Sequence, residues 1–177
     1  MRASLRSWRI DDAADLHRAL IDSGDLTAQF GDTDLSSRLA CEQFIAKHWC
    51  GQNALARHFA LDVEGTAVGG VGNSHIDARH GTGWASYWVS RPTRGAGLAS
   101  RGLAAAAGWA FSTRVFRLEL GHRVNNPASS QVAIAAGFAV EGVERAKLRY
   151  GQKRFDVETH ARLAIDPEPV ITPLPLH

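Results

Sequence analysis

The chain has 177 residues, 45% of them hydrophobic and 21% charged, which is enough apolar material for one folded core. The formal net charge is +2, so the composition gives no reason to expect nucleic-acid binding. Two cysteines cannot form a disulfide framework, and no uninterrupted run of about 18 apolar residues could cross a membrane. We therefore expect a cytoplasmic protein with one domain over residues 1–165 and a proline-rich tail, extended or disordered, over 166–177.

The first half of the chain predicts a strand, two helices, a hairpin and a further strand. Asp11 and Asp12 are suitable caps for the first helix, and Asp32 or Thr33 can cap the second. In chain order the expected elements are a strand over 5–9, a helix over 13–21, a helix ending near residue 49, strands over 58–63 and 67–71, and a strand over 84–89.

The second half predicts two helices, each followed by strands. An Ala-rich helix over 98–112 has one apolar face, and Gly102 and Gly108 would let it lie unusually close to a sheet. Asn126-Pro127 is a typical helix start and Gly137 a typical stop. Strands are expected over 117–124, 138–149 and 153–164. This order of elements indicates an α/β or α+β domain with a mixed sheet.

The glycine-rich loop Arg94-Gly95-Ala96-Gly97 predicts an anion site. It leads directly into the helix over 98–112, so backbone N–H groups and the positive end of the helix dipole point into the loop. A P-loop needs Lys after its final glycine, where this chain has Leu98, and a dinucleotide fingerprint needs a third glycine where it has Ser100. A loop that serves only as a turn is the remaining alternative.

Three blocks resemble the GCN5-related N-acetyltransferase (GNAT) superfamily. Arg94-Gly95-Ala96-Gly97-Leu98-Ala99 has the form Arg-X-X-Gly-X-Ala of the family's pyrophosphate loop. Asn126-Pro127-Ala128-Ser129, followed by Gly137-Phe138, resembles the second conserved block, and Ser86-Tyr87-Trp88-Val89 is similar to the strand that carries the pantetheine arm. The sequence is most similar to the RimJ/RimL-like branch, the ribosomal-protein N-terminal acetyltransferases.

This resemblance implies a fold and an activity. The fold would be a mixed, mostly antiparallel seven-stranded sheet with helices on both faces and a V-shaped split between its two central parallel strands. The activity would be an acyl-CoA-dependent N-acetyltransferase that moves an acetyl or other short acyl group directly to a primary amine of a small molecule or a protein N-terminus. A non-catalytic acyl-CoA-binding module or sensor is the alternative. We expect a monomer or homodimer with no nucleic-acid or membrane partner.

The resemblance also assigns roles to residues. The backbone of Trp88 and Val89 would pair with the pantetheine amides, and Arg94 would add charge at the pyrophosphate. Ser129 would return a proton to the departing thiolate, next to Asn126, which caps the helix. The residues implied to bind acetyl-CoA are Trp88, Val89, Arg94, Gly95, Ala96, Gly97, Leu98, Ala99, Asn126 and Ser129.

The general base stays open at the level of sequence. Five residues before Asn126, where relatives can carry an acid, this chain has Gly121. The candidates are Glu119, His75, Asp77, His122 and water. No pair of the eight histidines has a helical ligand spacing, so no metal is expected. The acids along residues 11–42 either cap helices and face solvent or line an acceptor cleft that favours cationic amines.

Overall fold

The structure, a computed structural model, describes residues 2–51 and 55–177. Short 3₁₀ turns lie at Ile10–Asp12, Thr27–Gln29 and Arg91–Thr93. None of the helices in the described ranges is long and apolar enough to cross a membrane. In chain order the main elements are β1 (Ala3–Ser7), α1 (Ala13–Asp22), α2 (Arg38–His48), β2 (Arg57–Val63), β3 (Thr66–Asp77), β4 (Thr82–Val89), α3 (Leu98–Ser112), β5 (Arg117–Arg123), α4 (Pro127–Ala135), β6 (Ala139–Tyr150) and β7 (Lys153–Leu163).

The strands form one seven-stranded sheet in the order β1-β2-β3-β4-β5-β7-β6. β4 and β5 are parallel, and the other neighbouring pairs are antiparallel. The pairing of β4 with β5 runs from Thr82 opposite Arg117 to Trp84 opposite Glu119. Beyond Trp84 the two strands diverge, which opens a V-shaped split in the middle of the sheet. The expected fold class is confirmed.

Side chains alternate across the sheet, so each strand contributes to two cores. On β2, Phe59 and Leu61 belong to the core beneath α3 and α4, whereas Ala60 belongs to the core beneath α1 and α2. On β4, Val89 joins the first of these cores and Trp88 the second. Helices therefore cover the sheet, and the split within it, from both faces.

Gly102 brings α3 close to the sheet, as the sequence predicted. A Cβ atom at this position would lie 2.7 Å from Leu61 Cδ2 and 3.1 Å from Val71 Cγ2, so those side chains would have to shift. Gly108 is exposed, and a Cβ there would meet nothing within 4 Å. The prediction of close approach is confirmed for Gly102 and wrong for Gly108.

The start of α2 differs from the sequence prediction. Its N-cap is Ser37, whose side chain accepts a hydrogen bond of 3.1 Å from the Ala40 N–H, and not Asp32 or Thr33. The Asp34 carboxylate accepts from the Ser36 N–H at 2.9 Å. Such a local side-chain bond stabilises a turn in competition with a helix, which explains the later start.

The tail is extended and packed against the domain. Leu174 is 3% exposed. The Leu5 N–H donates to the Pro175 carbonyl at 2.8 Å, and the His177 N–H donates to the Leu5 carbonyl at 2.9 Å. The tail thereby covers the edge strand β1, whose free backbone groups could otherwise pair with another chain.

Candidate active site

The split between β4 and β5 widens into a cleft of about 380 Å³. It lies between the end of β4, the loop that leads into α3 and the start of α4. The loop at 94–99 and the block at 126–129, far apart in sequence, meet here. All the predicted cofactor-binding residues except Ala96 line the cleft, together with Asp25, Leu26, Gln29, Tyr87, Thr93, Ser100, Ala128, Gln131 and Val132.

Gly95 and Gly97 give the loop before α3 its shape. Their φ angles of +82° and +70° lie in the left-handed region, which residues with side chains rarely adopt. Gly97 is the N-cap of α3, and a Cβ atom at either glycine would meet nothing within 4 Å. The N-terminus of this 15-residue helix is therefore open to the cleft. Its N–H groups, at the positive end of the helix dipole, suit an anion such as a pyrophosphate.

The register of β3 with β4 decides which backbone groups face the split. The Ser90 N–H donates to the Val68 carbonyl at 2.8 Å, and hydrogen-bonded pairs alternate with non-bonded pairs along an antiparallel ladder. Trp88, opposite Gly70, therefore directs its N–H and C=O to β3, whereas Val89 directs its own toward the split. The register supports the predicted backbone role of Val89 and contradicts that of Trp88, although Trp88 still lines the cleft.

The Arg94 side chain has two partners within the protein. Its Nε donates to the Val89 carbonyl at 3.0 Å, and its guanidinium forms an ion pair of 3.0 Å with Asp25. Asp25 therefore offsets part of the charge that Arg94 was expected to offer a pyrophosphate. The two side chains are 39% and 49% exposed, so the pair contributes little stability and can exchange Asp25 for a phosphate oxygen.

Ser129 is held by two neighbours at the start of α4. Asn126 accepts from the Ser129 N–H at 3.4 Å, and its Nδ2 donates to Ser129 Oγ at 3.0 Å. The Tyr87 hydroxyl donates to the Ser129 carbonyl at 2.8 Å. Because Oγ accepts from Asn126, the hydroxyl hydrogen of Ser129 is available to a group in the cleft. Burial raises the pKa of Tyr87 to about 12, so this second hydroxyl, to which the sequence assigned no role, stays protonated.

Glu119, the predicted catalytic acid or base on β5, lies outside the cleft. Its carboxylate accepts from Arg117 Nε at 2.6 Å, and Arg117 also pairs with Glu141. This network lies at the start of β5, where β4 and β5 are still paired. The structure therefore does not bring Glu119 to Ser129.

The remaining candidate bases on β3 and β5 are not in the cleft either. His75 is exposed, and Asp77 accepts the backbone N–H groups that follow it. Gly121 leaves no room for an acid, since a Cβ there would lie 2.8 Å from Val157 Cγ1 and 3.3 Å from Trp84.

His122 belongs to a cluster beneath α4 that the sequence did not suggest. Its Nδ1 lies 3.1 Å from the Arg123 carbonyl, and its Nε2 lies 3.0 Å from His160 Nε2. Glu158 accepts from His160 at 2.9 Å and from Ser130 of α4 at 2.7 Å. The cluster ties α4 to the sheet. Its donor atoms lie within 4.8 Å of one another, close enough to share a metal ion, so the expected absence of a metal stays a prediction.

Comparison with known proteins agrees with this geometry. The acetyltransferase (GNAT) domain family matches residues 2–139, which is more than half of the chain. The chain belongs to this family. It is 27% identical over 136 residues to the ribosomal-protein-serine acetyltransferase of Escherichia coli (strain K12), over 76% of this chain and 74% of that protein.

Two solved structures share the GNAT fold described above. RimL, a ribosomal L7/L12 alpha-N-protein acetyltransferase in complex with coenzyme A, matches with a TM-score of 0.76 at 18% identity, over 92% of this chain and 94% of that chain. A spermidine N-acetyltransferase from Vibrio cholerae in complex with CoA and spermine matches with a TM-score of 0.79 at 20% identity, over 93% of this chain and 97% of that chain. The family, its RimJ/RimL-like character and the enzyme class, an acyl-CoA-dependent N-acetyltransferase, are confirmed.

A second cavity of about 270 Å³ in this GNAT domain opens onto the cleft from the side of α1 and α2. The two cavities share Gln29, Tyr87 and Trp88. We call the second cavity the aromatic pocket, because besides Tyr87 it is lined by five further aromatic residues and one imidazole: Trp8, Phe30, Phe44, Trp49, Trp88 and His58. No local motif joins these residues, and sequence reasoning singled out only Trp88 among them.

A larger groove of about 500 Å³ lies at the edge of the sheet, around Arg6. Arg6 forms ion pairs of 2.7 Å with both Asp12 and Asp62, which hold β1 in place. Within the described part of the chain, the groove shares no lining residue with the cleft or the aromatic pocket. We therefore assign the chemistry to the smaller cavities at the split.

Proposed function

We propose that this GNAT enzyme binds acetyl-CoA in the cleft between β4 and β5 and transfers the acetyl group, or another short acyl group, directly to a primary amine. The observation that carries the proposal is that one cleft is lined by the glycine loop, by Val89 and by Ser129. The loop can bind a pyrophosphate, and Val89 directs toward the pantetheine amides its N–H and its carbonyl, which also accepts from Arg94 Nε, in the manner of an added strand. The matching structures of RimL and of the spermidine N-acetyltransferase are both complexes with CoA, which supports this assignment.

The chemistry needs a neutral amine and a proton for the departing sulfur. Transfer forms a C–N bond and breaks the C–S bond, so one proton must leave the amine and one must reach the thiolate. The Ser129 hydroxyl, held by Asn126, can donate to the thiolate and regain a proton from water. The amine proton leaves to water, since none of the candidate bases lines the cleft. An α-amine with a pKa of about 7.7–8.0 is already partly neutral at pH 7, unlike a lysine at about 10.4.

The acceptor amine enters through the aromatic pocket, which meets the cleft at Tyr87 and Trp88. The names of the relatives support both a protein N-terminus and a small amine as acceptor. A monomeric or homodimeric state, a cytoplasmic location and the lack of nucleic-acid and membrane partners stay predictions.

A thiol-release assay tests the proposal. Acetyl-, propionyl- and succinyl-CoA are each combined with a panel of amines and N-terminal peptides. We expect thiol release that depends on both substrates and is fastest with acetyl-CoA. Failure to bind CoA in a calorimetric titration would refute the assignment of the cleft.

A non-catalytic acyl-CoA-binding module is the second candidate, and one observation favours it. Among residues 2–51 and 55–177, Asp25 is the only carboxylate that lines the cleft, where it is paired with Arg94, and no histidine of these ranges lines it. Tight CoA binding without turnover on any amine of the panel would support this reading over the enzyme.

A further inference from the structure

Among the described residues, none with an acidic side chain, a lysine or an arginine lines the aromatic pocket. Besides its aromatic residues and His58, this described lining consists of Gln29, Thr33, Gly70, Val71, Gly72 and Ser86. Burial, with a smaller effect from His48, lowers the pKa of His58 to about 4, so this imidazole is neutral near pH 7. A positively charged group deep in the pocket would lose its water without gaining a carboxylate partner.

None of the acids over residues 11–42 is among the described residues that line the aromatic pocket, which supports the alternative in which they cap helices and face solvent. Five of them pair with arginines or accept backbone N–H groups: Asp12 with Arg6, Asp15 with the Ala67 N–H, Asp25 with Arg94, Asp34 with the Ser36 N–H, and Glu42 with Arg38.

The rings of the pocket form a continuous wall. The Trp8 ring lies 4.4 Å from that of Trp49 and stacks at 6.1 Å on that of Trp88, measured between centroids. Phe30 meets Trp88 edge-on at 6.1 Å, and Phe44 meets Trp49 edge-on at 4.8 Å. Such faces and edges favour a further ring in an offset-stacked or edge-on arrangement.

Two glycines of β3 keep the floor of the pocket open. A Cβ at Gly70 would lie 2.8 Å from Trp88 Nε1. A Cβ at Gly72, which is opposite His58 in the β2–β3 pairing, would lie 2.2 Å from His58 Nδ1. Because neither position has a side chain, both rings lie against the strand. The cavity of about 270 Å³ above them is large enough for a phenyl or indole ring.

Resting on the proposed function, we infer that the aromatic pocket binds a flat, uncharged, apolar group next to the primary amine of the acceptor. Arylalkylamines and peptides with an aromatic first residue have this chemistry. Polyamines do not, because they would bring further positive charges into a pocket that offers no carboxylate. A ring in the pocket would direct its amine toward the cleft across Tyr87 and Trp88, the residues that the two cavities share.

Matched amines test the inference by their kcat/KM with acetyl-CoA. Phenylalaninamide and glycinamide are both α-amines, so they differ mainly in the ring. We expect phenylalaninamide to be favoured by about 10- to 100-fold, the range that burial of such a side chain supports, and spermidine to be the poorest substrate. A short peptide beginning with Phe, compared with phenylalaninamide, distinguishes a protein N-terminus from a small amine. Equal values for the two amides, or a preference for spermidine, would overturn the inference and leave the transferase intact.

A binding measurement separates this inference from the proposed function. Trp8, Trp49 and Trp88 line the pocket, so phenylalaninamide should change the tryptophan emission saturably without an acyl donor, and spermidine should not. Phe30→Leu should weaken this binding and reduce the preference for the aromatic amide. Phe116→Leu, at an exposed ring outside the pocket, is the matched control. Binding without acetylation would support the pocket and refute the transferase, whereas an unchanged emission would overturn the inference.

Discussion

The two sides of the split are built in different ways. On the CoA side, two short contiguous blocks, residues 94–99 and 126–129, offer a helix N-terminus, free N–H groups and one hydroxyl. On the acceptor side, the rings come from separate parts of the chain, from Trp8 after β1 to Trp88 on β4. A site made of backbone restricts residue type at the points of unusual conformation, as at Gly97, and so leaves a motif in the sequence. A site made of side chains leaves no local pattern.

This difference predicts how each side responds to mutation. Changes in the glycine loop should act on CoA affinity and leave the choice of acceptor unchanged. Changes in the aromatic pocket should act on the acceptor and leave CoA affinity unchanged. Most of the predictions below test this separation.

Gly97→Glu should have the largest effect and abolish CoA binding. The new side chain would project at the open N-terminus of α3, where its carboxylate repels a pyrophosphate, and φ of +70° adds strain. We expect CoA affinity, measured by calorimetry, to fall by at least about 100-fold, which is ~2.7 kcal/mol. Gly108→Glu, at an exposed position of the same helix with nothing within 4 Å, is the control and should bind normally. Normal affinity in folded Gly97→Glu protein would mean that the loop is only a turn.

Ser129→Ala should lower kcat by about 100-fold and spare CoA affinity, because it removes the proposed proton donor to the thiolate. Ser130→Ala is the matched control, since the Ser130 hydroxyl donates to Glu158 beneath α4 and does not face the cleft. Steady-state kinetics with acetyl-CoA and a fixed amine measure both variants. Equal losses in the two would indicate that α4 has shifted and that no proton donor was removed.

The sequence predicted the CoA side more completely than the acceptor side, for reasons visible in particular residues. The conformation at Gly97 and the cap at Asn126 each follow from local residue types, so the loop and α4 were predicted closely. The register that turns Val89 and not Trp88 toward the split depends on pairing with β3, which a single segment does not encode. The ion pairs that hold Glu119 outside the cleft also join β5 to Glu141 of β6, across the intervening strand β7, and likewise appear only in the fold.

Gly72→Ala should damage the acceptor side alone. Its Cβ would lie 2.2 Å from His58 Nδ1, so the imidazole must move into the pocket. We expect a loss of about 1–3 kcal/mol in the free energy of unfolding and a higher KM for the amine, with CoA affinity retained. Chemical denaturation and kinetics provide the two readouts. Gly142→Ala, on β6 with nothing within 4 Å, should change neither, and a loss of CoA affinity in Gly72→Ala would argue against separate sides.

His58 should make a small pH-dependent contribution to stability. Its pKa is about 4 when folded and about 6.5 when unfolded, so the unfolded chain binds more protons between these values. The free energy of unfolding is therefore unaffected by His58 protonation above pH 6.5 and decreases as the pH falls toward 4. By pH 5.5 the loss should be about 1 kcal/mol. Urea unfolding at pH 8 and 5.5 should show this loss in the wild type and a smaller one in His58→Gln. The same pH dependence in both proteins would contradict a buried, neutral His58.

A crystal structure of the protein with CoA tests the division of the split most directly. We predict the pyrophosphate at the N–H groups of residues 95–99, the pantetheine amides hydrogen-bonded to the backbone of Val89 and not to that of Trp88, and the sulfur within reach of Ser129 Oγ. The aromatic pocket should be free of CoA atoms. CoA bound with its pyrophosphate away from the glycine loop, or with its pantetheine arm in the aromatic pocket, would contradict the account.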